Sequence, residues 1–116
     1  MKKVLIIDDE IDICMMLKAY LQKNNFEVNY ACSLKDGLQN LGKTSPDYLI
    51  LDNNLPDGLG VSSIKKIKSQ SPNTFIIMLS AMTSVKNTAI ENGVDYFLKK
   101  PFRLNEINQI LNFGQK

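Results

Sequence analysis

Three short runs constrain this chain more than anything else in it. Lys3-Val4-Leu5-Ile6-Ile7, Tyr48-Leu49-Ile50-Leu51 and Phe75-Ile76-Ile77-Met78-Leu79 are apolar almost throughout. A strand with no polar alternation has both faces covered, as in a parallel sheet. Each run stops at a residue able to do chemistry: Asp8, Asp52 and Ser80. The first two are then followed by apolar residues at helical spacing. Those after Asp8 are Ile11, Cys14, Met15, Leu17 and Leu21, ending at Asn24-Asn25. Those after Asp52 are Val61, Ile64 and Ile67, with Lys65, Lys66 and Lys68 on the wet side.

Two further strands complete the pattern. Phe26 to Ala31 alternates and reads as a strand nearer an edge, and Tyr96-Phe97-Leu98 is a short last strand. Ser33-Leu34-Lys35-Asp36 resembles a capping box with Asp in place of Glu, opening a helix to about Leu41. Gly42 and Pro46 are expected to bracket the turn into the strand at Tyr48. A helix over 84–91 stops at Asn92-Gly93, and Leu104, Ile107, Ile110 and Leu111 define the final helix. The chain therefore reads as five β-strands, each followed by a helix. The expected fold class is α/β, a (βα)5 doubly wound, five-stranded parallel sheet of order 2-1-3-4-5. The 116 residues suffice for one compact domain, 1–116, without an internal linker or repeat.

Composition excludes several classes. The net charge is +2 with scattered lysines, which argues against a nucleic-acid footprint. For every lysine except Lys100 the expected setting is a solvated helix face. No apolar run reaches the roughly 20 residues of a membrane span, and the four apolar residues before Asp8 are too few for a signal peptide. Cys14 and Cys32 have no metal-ligand spacing and are taken as reduced packing residues of a cytoplasmic protein. The chain has no histidine, which excludes His-based triads, His metal ligands and phosphohistidine chemistry within it.

Taken singly, Asp8-Asp9 could be a helix cap, Asp52 a turn residue, Ser80 a loop hydroxyl and Lys100 a surface lysine. The topology places them together, because the C-terminal ends of parallel strands share one rim and the switch point brings strands 1 and 3 side by side. Three carboxylates there repel one another unless a cation is present. A donor set of oxygens alone favours a hard ion, Mg²⁺ or Mn²⁺. A carboxylate beside such an ion, a lysine and a hydroxyl suits phosphoryl transfer, the Asp oxygen attacking phosphorus to give an acyl phosphate.

At this point the chain resembles the receiver (response-regulator) domain of two-component signalling, over essentially its whole length and with a flavodoxin-like architecture. Asp8-Asp9 look like its acidic pair. Asp52 with Pro56 and Gly60 looks like its phosphoacceptor loop. Leu79-Ser80-Ala81 looks like its Ser/Thr-Ala switch, and the run from Gly93 to Phe102 like its last strand and Lys-Pro signature.

The resemblance implies that Asp52 accepts a phosphoryl group from a sensor histidine kinase or a histidine phosphotransfer protein. Asp9 would bind Mg²⁺ directly and Asp8 through water, with Asp52 and the backbone carbonyl of Asn54 completing the protein ligands. Ser80 and Lys100 would hold phosphoryl oxygens, and Phe97 would be the aromatic switch that follows Ser80 inward. The Lys100-Pro101 bond is expected to be cis. The output would be a downstream protein target, or an output domain, reached through the face built from the fourth helix, fifth strand and fifth helix. The chain would be a monomer or a phosphorylation-linked dimer, with no direct nucleic-acid role, and not an enzyme.

Three features depart from the family pattern. The segment between Ser80 and Lys100 is slightly short, Phe97 lacks a phenolic hydroxyl, and Asn54 and Met82 fill the two positions that tune phosphoryl lifetime. Two rival readings fit the residues less well. A Mg²⁺-dependent aspartyl phosphatase of the haloacid-dehalogenase type wants Asp-x-Asp, whereas position 54 is Asn, and it places its acidic pair late in the chain. A phosphorylation-independent docking module would not need the set of acids, hydroxyl and lysine.

Overall fold

The computed structural model describes residues 1–114. Its main sheet contains β1 (Lys2–Ile7), β2 (Phe26–Ala31), β3 (Tyr48–Asp52), β4 (Phe75–Ser80) and β5 (Tyr96–Lys99). All neighbouring pairs are parallel and the order is 2-1-3-4-5, as the sequence pattern requires. The helices are α1 (Ile11–Lys23), α2 (Leu34–Thr44), α3 (Ile64–Gln70), α4 (Lys86–Asn92) and α5 (Leu104–Gly114). Short 3₁₀ turns, Gly60–Ser63 and Thr83–Val85, lead into α3 and α4. The Lys100-Pro101 peptide bond is cis.

Strand periodicity sorts the core into two layers. Val4 and Ile6 of β1, Tyr48 and Ile50 of β3, and Ile77 and Leu79 of β4 pack with Cys14, Leu17 and Leu21 of α1 and Ile107 and Leu111 of α5. The intervening residues Leu5, Ile7, Leu49, Leu51, Ile76 and Met78 pack on the other face with Leu34 and Leu41 of α2, Ile64 and Ile67 of α3, and Ala89 of α4. Because side chains alternate across a strand, a continuously apolar run supplies both layers at once. Each fully buried Leu or Ile contributes roughly 1.5–3 kcal/mol over its exposed state.

The N-cap forms as read, with the Ser33 hydroxyl accepting from the Asp36 amide at 3.2 Å. The end of α2 does not follow the reading. Gly42 lies inside the helix, which runs to Thr44, and the left-handed residue is Ser45 at φ 46°. Thr44 Oγ1 donates to the Asn40 carbonyl at 2.9 Å in the last turn. The cap after α4 is where the sequence puts it, at Gly93 with φ 112°. Lys68 also departs from the solvated-face expectation. Its ammonium is tied to Asp95 Oδ2 at 2.8 Å and to the Thr74 carbonyl at 2.9 Å.

That pair belongs to a set of tethers at the N-terminal end of the sheet. Asp95 Oδ2 also accepts from the Ile76 amide at 2.8 Å, Thr74 Oγ1 donates to the Pro46 carbonyl at 2.7 Å, and Asp47 accepts from the Lys3 amide at 2.8 Å.

Candidate functional site

The opposite, C-terminal rim gathers the polar strand ends. Asp8 follows β1 and keeps its register, its amide donating to the Ala31 carbonyl at 3.1 Å. Its carbonyl accepts from Cys14 Sγ at 3.2 Å, and its Oδ1 accepts from the Glu10 amide at 2.9 Å. Among the described residues, Oδ2 of this fully buried residue has no hydrogen-bond partner.

Asp52 is the last residue of β3, opposite Leu79, and is buried. Lys100 arrives from beyond β5, with its amide donating to the Ser80 carbonyl at 3.0 Å. This placement brings its Nζ to 2.7 Å from Asp52 Oδ1, 3.7 Å from Asp8 Oδ2 and 3.8 Å from Glu10 Oε1.

The loop after Asp52 is held by Asn53, whose amide donates to the Leu79 carbonyl at 3.0 Å. Asn53 Oδ1 accepts from the Val61 amide at 3.0 Å, and its carbonyl accepts from Gly60 at 2.7 Å. Between these anchors Asn54–Leu55 and Gly58–Leu59 form a small antiparallel ribbon. Gly60 is required by space, since a Cβ there would stand 2.5 Å from the Asp52 carbonyl oxygen. Asp57 reaches across the loop and accepts from the first amides of α2, Leu34 at 2.8 Å and Lys35 at 2.9 Å.

The resulting cleft, about 420 Å³, is lined by Asp9, Glu10, Asp52, Asn54, Ala81 and Lys100. Its charges are unbalanced. Burial pushes the Asp8 carboxyl up to about 6, helped by the Asp52 charge and opposed by the Glu10 amide and Lys100. Burial raises Asp52 as well, and Asp9 adds to this, while the Lys100 and Asn54 donors work the other way. Burial alone would depress Lys100, but the bond to Asp52 and the charges of Asp8 and Glu10 carry it above its usual value. Burial also pushes the Cys14 thiol up to about 12, and both cysteines are free.

The residues singled out in the sequence are mostly brought together. Asp9 is exposed at the cleft, and Asn54 lines it. Asp8, Asp9 and Glu10 each offer a carboxylate oxygen, and these oxygens lie within 4.8 Å of one another. Ser80 is buried at the end of β4, and its hydroxyl accepts from the Met82 amide at 3.0 Å; the next residue, Ala81, is the one that lines the cleft. Phe97 is half-buried beside Met78 and packs on the layer that holds α3 and α4.

Three residues carry roles that sequence reasoning did not assign. Glu10 was visible as the third acid in a row, but Asn53 and Asp57 act through distant backbone amides and left no local signal.

An acidic rim closed by one lysine, on a doubly wound sheet of this order, defines a receiver-type signalling module. The family model for the response regulator receiver domain matches residues 4–112, and the chain belongs to that family. It is 35% identical to the chemotaxis protein CheY of Bacillus subtilis, over 95% of this chain and 94% of that protein. It is also 35% identical to the transcriptional regulatory protein PrrA of Mycobacterium leprae, over 90% of this chain but only 46% of that longer protein. Among solved structures, the chemotaxis response regulator CheY4 of Vibrio cholerae superimposes with a TM-score of 0.90 at 31% identity, covering 98% of each chain. The beryllofluoride-activated NtrC4 receiver domain dimer gives 0.91 at 29% identity, over 98% of this chain and 96% of that one.

Proposed function

We propose that this chain, as a single receiver domain over 1–116, takes one phosphoryl group onto Asp52 from the phosphohistidine of a partner kinase or phosphotransfer protein. The observation that carries the reading is the buried Asp52 carboxylate held 2.7 Å from Lys100 at the floor of an acidic cleft. In the transfer an Asp52 oxygen bonds to phosphorus while the bond from phosphorus to the histidine nitrogen breaks. An ionised carboxylate needs no general base, so the lack of histidine in this chain is no obstacle. Lys100 offsets charge on the equatorial phosphoryl oxygens. The Ser80 hydroxyl leaves the Met82 amide to bond a phosphoryl oxygen, and Phe97 follows it inward. The product stays on the chain, so the process is stoichiometric signalling and not turnover.

The donors fit a hard divalent ion. Asp8 Oδ2 is buried without a hydrogen-bond partner among the described residues, and the neighbouring donors are carboxylates. Asp8, Asp9 and Asp52, with the Asn54 carbonyl, would hold Mg²⁺ or Mn²⁺. Such an ion, when bound, offsets the carboxylate repulsion and draws charge from the phosphoryl oxygens.

The signal leaves through the face of α4, β5 and α5. There Lys86, Ile90, Tyr96 and Phe97 line a shallow pocket, with Ile90 and Tyr96 exposed. Its partners are a downstream target or an output domain, and pairing with a second copy on phosphorylation fits the dimer formed by the beryllofluoride-activated NtrC4 receiver domain. Among the described residues no helix is long and apolar enough to cross a membrane, in keeping with a cytoplasmic site of action.

Intact-mass measurement with acetyl phosphate tests the reading. The wild type gains one phosphoryl mass with Mg²⁺ present, and neither Asp52→Asn nor a chelated sample does. Equal labelling of wild type and variant would overturn it.

A further inference from the structure

Glu10 is an acid without a structural task. It is the N-cap residue of α1, yet its side chain makes no capping bond. Among the described residues the only ionic partner of its exposed carboxylate is Lys100 at 3.8 Å. That ammonium is already committed to Asp52 at 2.7 Å. Asp8 Oδ2, buried and without a hydrogen-bond partner among the described residues, faces the same ammonium from 3.7 Å, beyond hydrogen-bonding distance. One lysine therefore faces three carboxylates and satisfies one of them, while Asp9 adds a fourth acid at the cleft wall.

Glu10, Asp8 and Asp9 each offer an oxygen, and these oxygens lie within 4.8 Å of one another. Asp52 stands outside this set, with Lys100 as its counter-ion. We infer that Glu10 is a third carboxylate donor on the α1 side of the divalent-cation site, joining Asp8 and Asp9 in the site that Asp52 and the Asn54 carbonyl complete. The inference rests on the cation-assisted reading above and adds a residue to it. A carboxylate on a two-methylene arm, exposed and free of capping duty, can leave the ammonium for the ion without any movement of the backbone. The ion gains a hard oxygen donor, and the net negative charge of the cleft falls.

The test is a Mn²⁺ titration without any phosphoryl donor, reading free Mn²⁺ by electron paramagnetic resonance. It compares wild type, Glu10→Gln and Asp12→Asn, the last an exposed acid in the first turn of α1 that controls for bulk charge. Glu10→Gln weakens Mn²⁺ binding about tenfold, and the ratio to wild type survives high salt. Asp12→Asn has a smaller effect that salt removes. A Glu10→Gln protein that binds like Asp12→Asn, or whose deficit vanishes in salt, overturns the inference. If the wild type binds Mn²⁺ and labels normally at Asp52 while Glu10→Gln is indistinguishable from it, the assignment of Glu10 falls and the phosphoacceptor reading stands. A wild type that binds no Mn²⁺ overturns both.

Discussion

Lys100 Nζ and Asp52 Oδ1 meet at 2.7 Å, although one follows the last strand of the sheet and the other ends the central one. Lys100 is the closest cation to a buried carboxylate, so its removal strands that charge. Lys100→Met should cost roughly 2–3 kcal/mol at pH 7.5 in chelator. Acid should restore much of the loss, because a carboxyl whose folded pKa is raised becomes neutral as pH falls. Urea unfolding at pH 7.5 and pH 5 checks this, and an equal loss at both values would disprove the electrostatic cause.

Asp8 sets a second pH dependence. Its carboxyl is raised from 3.8 to about 6 in the fold. Between those values the folded state holds the proton more tightly than the unfolded chain, so stability falls as pH rises through the window. The effect is about 3 kcal/mol at most. Asp8→Asn keeps an oxygen for the Glu10 amide and removes the charge. It should flatten the profile between pH 4 and 6 and raise stability at pH 7 by about 1–2 kcal/mol in chelator. Saturating Mg²⁺ should reverse the wild-type slope, since an ion favours the charged form. Thermal melts across pH, with and without the ion, read all three effects.

Gly60→Ala drives a methyl group against backbone and not against a pliable side chain. The new carbon would lie 2.5 Å from the Asp52 carbonyl oxygen and 3.2 Å from Asn53 Cα. A stability loss of about 2–3 kcal/mol is expected, with slower labelling of Asp52 because the shift falls on its own backbone. Denaturant unfolding together with a labelling time course separates the two effects.

Asp57 gives a smaller, differently signed pH effect. The amides of Lys35 and Leu34 hold its exposed carboxyl below the usual value. A depressed acid stabilises the fold above its unfolded pKa, and that stability disappears as pH falls through the folded value. Asp57→Ala should lower the melting temperature at neutral pH by less than Gly60→Ala, and the difference from wild type should shrink in strong acid. Hydrogen exchange at Leu34 and Lys35 should quicken in the variant.

The strands and their order were legible because β1, β3 and β4 are buried on both faces, and full burial leaves a local, readable mark in the sequence. The cap at Gly93 was legible for a related reason, since its left-handed backbone favours glycine. Gly42 misled because the same rule was applied to a glycine that sits within a helix, with nothing within 4 Å of its would-be Cβ. There the helix ran on, with a Thr44 bond in its last turn. Lys68 and Asp57 were unreadable for a different reason. Their partners, Asp95 and the start of α2, become neighbours only after the chain has folded. In the site, Asp8, Asp9, Asp52 and Lys100 could be grouped from strand ends alone, whereas Glu10 depended on where the lysine reached.

The carboxylate of Asp95 binds the Ile76 amide and Lys68 at the end of the sheet remote from the cleft. With Thr74 and Asp47 it pins that pole of the molecule to its own backbone. Such a clamp holds the far ends of the strands in register, so the acidic rim is carried on a sheet whose opposite pole is tied to its own backbone.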